Sequence, residues 1–350
     1  MSITLETLLA SPDLLPLRLD LDGERIWFAP LTAEEYRKFA FLDDRMQRQA
    51  SGAFLMDLKG LSNHLSSRPL PRPMHYILHG AHCCSTLLAR CLQTLTGCFV
   101  LKEPYLLTQI AVLRDCLSAR PPAWNARIAG QLPDWLKMGT LLLNRAYGTD
   151  DTVVIKTNDL CNGLGLDLLA RDSRSKIIFL QSPLKTFLLS VLKLPGRRAW
   201  ARERLEILAA PLAASALLPD TPSADLSDAE AAAALWLYNC SLCRGLLRSA
   251  GSPRVLTIGG EAVADNPLET VCLAAEFFDL TLPQSGAARD LIGLESGRHA
   301  KDISLPYDAS TRKRDRTEAE GPFGSEAELG IAWAVRMAPA LVADCPFPLR

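Results

Sequence analysis

Short apolar runs that barely alternate with polar residues recur at 75–79, 98–101, 152–156, 176–180 and 254–258, and each gives way to apolar residues at helical spacing. Strands that read as continuous apolar runs are covered on both faces. The rhythm of run and helical stripe therefore predicts an α/β body, a three-layer fold with a central parallel sheet flanked by helices. Ahead of it, Asp22-Gly23 lies between two alternating stretches from Arg18 to Phe28, which is a hairpin signal. Thr32 with Glu35 forms a capping box for a helix reaching about Arg48, and Ser67 to Pro73 reads as a rigid linker. The division expected is 1–72 as N-terminal cap and linker and 73–350 as the α/β body. Pro211 to Ala224 reads as a surface loop, closed by a second capping box at Ser227 and Glu230.

Where the first run breaks, the chain reads Gly80-Ala81-His82-Cys83-Cys84-Ser85-Thr86 and then opens a helical stripe of Leu87, Leu88, Cys91, Leu92 and Leu95. A strand, a turn of small residues and a helix start present unpaired N–H groups and the positive helix end to an anion. The Ser and Thr hydroxyls add two donors. The loop lacks the Gly-Lys-Ser/Thr that holds a triphosphate with Mg²⁺, and no later apolar strand ends in a metal-holding Asp. It reads as an anion site without metal, or as a plain helix cap. Gly97 stops the helix, and the run 98–101 ends in Lys102-Glu103-Pro104, so a parallel return sets Glu103 beside the loop.

With these residues in place the chain resembles the P-loop sulfotransferases, whose signature is strand, Ser/Gly-Thr-rich loop, helix and strand. The similar branch carries Lys-Glu after the second strand, with the Glu as base. Three further stretches match in order: Val153 to Thr157, ending in Lys-Thr; Lys176 to Pro183 with Ser182 and the later Ser190, similar to the adenosine 3′-phosphate segment; and Arg254 to Glu261 with Asn266-Pro267 and Phe277 to Leu280. Departures are as definite. His82 stands for the loop Lys, Cys84 for a Gly, Gln181 for a strand-end Arg and Asn158 for the His of another branch, and Ser190 falls one residue late.

The resemblance implies transfer of a sulfonate from phosphoadenosine phosphosulfate (PAPS) to a hydroxyl or amine of a small or medium acceptor, with no metal. It assigns Glu103, Lys156 and His82 to catalysis, and His82, Cys83, Cys84, Ser85, Thr86, Leu87, Ser182, Ser190, Arg298 and Lys301 to donor binding. Arg298 and Lys301 come from the basic, aperiodic stretch 291–316, a late loop able to close on the 3′-phosphate or a solvated surface. Each assignment has a plainer counterpart: Glu103 as structural partner of Lys102 or Lys156, His82 as a turn histidine, Arg90 as a solvent-facing residue. Two other functions share the loop, a P-loop small-molecule or nucleotide kinase and a catalytically weak nucleotide-binding module.

Composition bounds the partners. Formal net charge is −1 over 350 residues, which excludes the globally basic surface of a nucleic-acid binder. The N-terminus lacks a signal-peptide pattern and no long uncharged apolar window occurs, so a cytoplasmic protein with no membrane partner is expected. A homodimer is compatible with the chain. The ten cysteines are spread through apolar patterns and read as free buried thiols. Cys240-x-x-Cys243 sits inside a helical run without further ligands, and His75 and His79 lie ~13 Å apart on one strand face, so neither suggests a metal site.

Overall fold

The computed structural model describes residues 4–46, 54–117, 122–217, 223–282, 286–299, 305–306 and 309–347. The first three strands, β1 (Leu14–Asp20), β2 (Arg25–Pro30) and β3 (Phe54–Asp57), make an antiparallel sheet whose first turn carries Asp22-Gly23. The five apolar runs follow as β4 (Met74–His79), β5 (Cys98–Lys102), β6 (Thr152–Lys156), β7 (Ile177–Gln181) and β8 (Val255–Gly259). They form one parallel sheet in the order β5-β6-β4-β7-β8.

Both faces of this sheet are buried, and by alternate residues. Ile77, Val154, Ile178 and Ile258 join one apolar cluster with the helix Ser85–Leu92. Tyr76, Val153, Ile155, Ile177 and Phe179 join the other, under the helices Leu184–Leu192 and Asp228–Ala250. That is why the runs do not alternate in polarity. The first strand of the sheet lies at its centre, and the chain passes to one side through β5 and β6 and then to the other through β7 and β8. A crevice for ligands forms at the carboxyl edge where such winding reverses.

The N-terminal sheet shares the second of these apolar clusters through Leu15, Leu19, Ile26 and Phe28. Arg145, 6% exposed, fastens it by donating to the carbonyls of Leu8 (2.6 Å), Ser11 (3.0 Å) and Leu14 (2.5 Å). Gln109 pairs both ways with the backbone of Leu19 (2.7 and 2.8 Å), as a further strand would.

Four expectations are corrected. The helix opened by the Thr32–Glu35 capping box spans only Ala33–Lys38. Phe39 beyond it is extended, a 3-10 turn follows at Asp44–Met46, and Leu42 is clipped between β5 and the next helix: its N–H donates to Lys102 O (2.7 Å) and its carbonyl accepts from Tyr105 N–H (3.1 Å). Part of the loop expected at 211–224 belongs to the helix Ala209–Ala214, and residues 218–222 lie outside the described ones. Of the basic stretch 291–316, the two ends are helical, belonging to the helices Gly286–Ser296 and Ala309–Met337, and residues 300–304 and 307–308 lie outside the described ones. Both capping boxes are formed, but the helix that Gly97 was expected to stop ends earlier, at Leu92 with Gln93 as its cap, and Gly97, at φ +75°, turns the chain just ahead of β5.

Candidate active site

The turn after β4 is built from left-handed residues: Ala81, His82 and Cys84 have φ values of 61°, 50° and 62°. Such a run curls successive N–H groups toward one point, and non-glycine residues adopt it at a cost of ~1–2 kcal/mol each. His79 holds the turn. Its Nδ1 accepts from Ala81 N–H (3.1 Å), which fixes the tautomer so that Nε2 donates to Thr157 O at the end of β6 (2.8 Å). Asn162 clamps the same strand end, accepting from His79 N–H (3.2 Å) and donating to His79 O (2.8 Å). From the other side Gly260 presses on the turn. A Cβ there would lie 2.7 Å from Cys83 O and 2.9 Å from Cys83 Cα.

The turn opens onto a cleft of about 840 Å³ along the carboxyl ends of the strands, within the range of small-molecule sites. His82, Cys83, Cys84, Ser85, Thr86 and Leu87 line it together with Ser182, Ser190, Glu103 and Lys156. Ser85 and Thr86 are each 5% exposed, at the first turn of the helix. The Cys83 thiol points away, toward Leu180 O (3.5 Å), and burial pushes it up to about 12. His82 stands edge-on to Trp200, ring centres 5.1 Å apart.

Glu103 occupies a left-handed position (φ 52°) directly before Pro104, an outlier for a glutamate. The turn aims its carboxylate at Lys156, and the two form a buried ion pair. Asn158 Nδ2 donates to Glu103 Oε2 (2.8 Å), and Arg45 of the N-terminal segment reaches the same oxygen at 3.4 Å. Burial alone would raise the carboxyl pKa. The Lys156 ammonium, with His79 and Asn158, outweighs it and brings Glu103 to about 2. Both plain and catalytic readings of Glu103 thus meet in one geometry. Lys102 takes no part: its ammonium donates to Tyr36 O (2.8 Å), Arg37 O (3.0 Å) and Gln93 Oε1 (2.5 Å), and burial lowers it to about 7.

The structure does not bring every expected residue to the cleft. Arg298 lies outside its lining, in a β-bridge with Pro306. Lys301 lies outside the described residues. Arg90 neither lines the cleft nor faces solvent but is paired with Glu295 (2.7 Å). Gln181 turns into the core, its Nε2 donating to Trp236 O and lying near Cys240 Sγ (both 3.2 Å). The cations that do line the cleft beside Ser190 are Lys193, Arg197 and Arg312. Arg312 came from the basic stretch; Lys193 and Arg197 carried no signal beyond being basic residues after a helix. Asp159 and Arg204, paired at 3.0 Å, line the other end with Phe41, Tyr105 and Trp200.

No protein-family model matches the chain, and no curated protein matches it. Among solved structures it is similar to a sulfotransferase from Alicyclobacillus acidocaldarius (12% identity, TM-score 0.38, covering 77% of this chain and 96% of that one). It is also similar to the sulfotransferase domain from the curacin biosynthetic pathway (12%, TM-score 0.43, 81% and 95%). A mouse sulfotransferase complexed with PAP matches as well (11%, TM-score 0.40, 84% and 95%).

Proposed function

We propose that the protein is a metal-independent sulfotransferase that moves a sulfonate from PAPS to a hydroxyl or amine of a small or medium acceptor. The observation that carries this reading is the Glu103–Lys156 pair, buried at the ends of neighbouring parallel strands on the edge of a hydroxyl-bearing anion loop. In such a transfer the bond from sulfur to the donor's phosphate oxygen breaks and a bond from sulfur to the acceptor forms. The electron pair leaves on the phosphate oxygen and the acceptor's proton goes to a base. The loop N–H groups, Ser85 and Thr86 hold the phosphosulfate, and Lys156 and His82 donate to the leaving oxygen. Glu103 takes the proton.

The resting pair explains how a carboxylate near pKa 2 can act as base. While Lys156 neutralises it, Glu103 is weakly basic. Donor oxygens that draw the ammonium away leave the carboxylate buried without its chief cation, and its basicity rises. Ser182 and Ser190 belong at the adenosine end. With Gln181 facing inward, we assign the 3′-phosphate to Lys193, Arg197 and Arg312 in place of Arg298.

Gln181 and the tightly paired Glu103 also favour a second reading, a nucleotide-binding module with little turnover. Incubation with PAPS and a panel of phenols, alcohols and amines separates the readings. Adenosine 3′,5′-bisphosphate and a sulfonated product should appear in equal amounts by mass spectrometry. Bisphosphate binding without product across the panel would favour the binding module. Phosphorylated product from ATP and Mg²⁺, with none from PAPS, would make the protein a kinase.

A further inference from the structure

Behind the cleft, on the far side of Gln181, two cysteines distant in sequence come together. Cys240 lies fully buried in the middle of the helix Asp228–Ala250, and half-buried Cys345 follows the short helix Pro339–Ala343 near the end of the chain. Their sulfurs are 2.6 Å apart across a sequence separation of 105 residues. That is much nearer to a disulfide, about 2.05 Å, than to two sulfurs merely in contact. The segment carrying Cys345 is seated on the body. Phe347, 2% exposed, packs its ring 6.3 Å from Phe179 of β7, and Asp344 reaches Arg244 of the long helix at 3.2 Å. Side chain and backbone therefore hold the pair together before any bond forms.

We propose that Cys240 and Cys345 are a redox-active pair that closes into a reversible disulfide and latches the C-terminal segment to the central helix and the β7 side of the sheet. The two thiols are chemically unlike, as exchange requires. The Cys240 hydrogen bond, joined by the Phe347 N–H and Arg244, lowers the Cys345 pKa against the opposing effect of burial, whereas burial raises that of Cys240. Cys345 is also the accessible one. Its thiolate attacks a low-molecular-weight disulfide, such as oxidised glutathione, and releases one thiolate as the mixed disulfide forms. Cys240 then gives up its proton and attacks the Cys345 sulfur, which expels the second thiolate. Two electrons pass from the protein dithiol to the small disulfide, which leaves as two thiols. Cys243, one helical turn from Cys240 and fully buried, is the other thiol within the same helix and the internal competitor.

The test uses the full chain, treated with oxidised glutathione, then unfolded in denaturant, blocked with iodoacetamide and digested without reductant. The linked peptide pair containing Cys240 and Cys345 should appear by mass spectrometry and vanish with reductant. Of the ten cysteines, two should escape alkylation. Oxidation should raise the melting temperature by about 5 °C, since the bond closes a long loop of the unfolded chain. Cys345→Ser replaces a half-buried thiol with a close isostere and should abolish both the linked peptide and the shift. Full alkylation of Cys240 and Cys345 after oxidation, a Cys240–Cys243 linkage instead, or the same shift in Cys345→Ser would each overturn the proposal.

Discussion

At the residue scale Glu103 is the residue on which the proposed transfer depends. A strand-end carboxylate beside an anion loop was legible in the sequence. Its left-handed backbone was not, because nothing in Lys-Glu-Pro announces a positive φ for a glutamate. Nor could the sequence say which of the two adjacent charged residues would enter the cleft, since Lys102 leaves to cap the carbonyls of Tyr36 and Arg37. Glu103→Gln keeps the shape but not the basicity. Transfer should fall by about 10²-fold or more while bisphosphate affinity, measured by calorimetry, stays nearly the same. The variant also leaves Lys156 buried without its countercharge, a loss of about 3 kcal/mol at neutral pH. Because the folded pKa of Glu103 is lowered from 4.5 to about 2, its stabilisation is complete above pH 4.5 and is lost as pH falls toward 2. Denaturant titrations should therefore show the gap between wild type and Glu103→Gln closing over that window. Adding Lys156→Met should recover most of the stability and none of the activity.

At the element scale the strands were readable because both faces are buried, while helix ends set by distant contacts were not. The helix after Thr32 ends at Lys38 because Leu42 is claimed by Lys102 and Tyr105, residues far ahead in the chain. Gly259-Gly260 was visible at a strand end without a sign of which glycine matters. A Cβ at Gly260 would meet the backbone of Cys83, whereas one at Gly259 meets nothing within 4 Å. Gly260→Ala should displace the anion turn and weaken bisphosphate binding about tenfold or more, and Gly259→Ala should leave it unchanged. Equal behaviour of the two would mean that the turn tolerates the shift. Lys102 supplies a pH test at the joint between β5 and the N-terminal helix. Its folded pKa, lowered from 10.5 to about 7, means the unfolded chain binds the extra proton between those values. Stability of the wild type relative to Lys102→Met should rise from about pH 7 to about pH 10.5.

At the scale of the whole molecule, Arg145 joins the N-terminal sheet to the body through carbonyls, a partnership that leaves no pattern in sequence. Arg145→Met should strip the donors from Leu8, Ser11 and Leu14, lower the melting temperature by several degrees and expose the N-terminal segment to proteolysis. Among the described residues no helix is long and apolar enough to cross a membrane, and the cleft is lined by acidic and basic side chains alike. The loop and the strand ends were legible because a strand, its turn and the helix that follows are contiguous in sequence. The cations beside Ser190 were not, because they converge from the end of one helix, the start of the next and the start of the long helix Ala309–Met337. The central claim is that this cleft holds a sulfonate donor through its hydroxyl-bearing turn. Calorimetric titration of wild type and Ser85→Ala/Thr86→Ala with adenosine 3′,5′-bisphosphate, and with ATP and Mg²⁺, tests it most directly. Saturable bisphosphate binding in the wild type, lost in a double variant of unchanged fold, is the predicted result. Binding of ATP with Mg²⁺ alone, or equal bisphosphate affinity in both proteins, would contradict it.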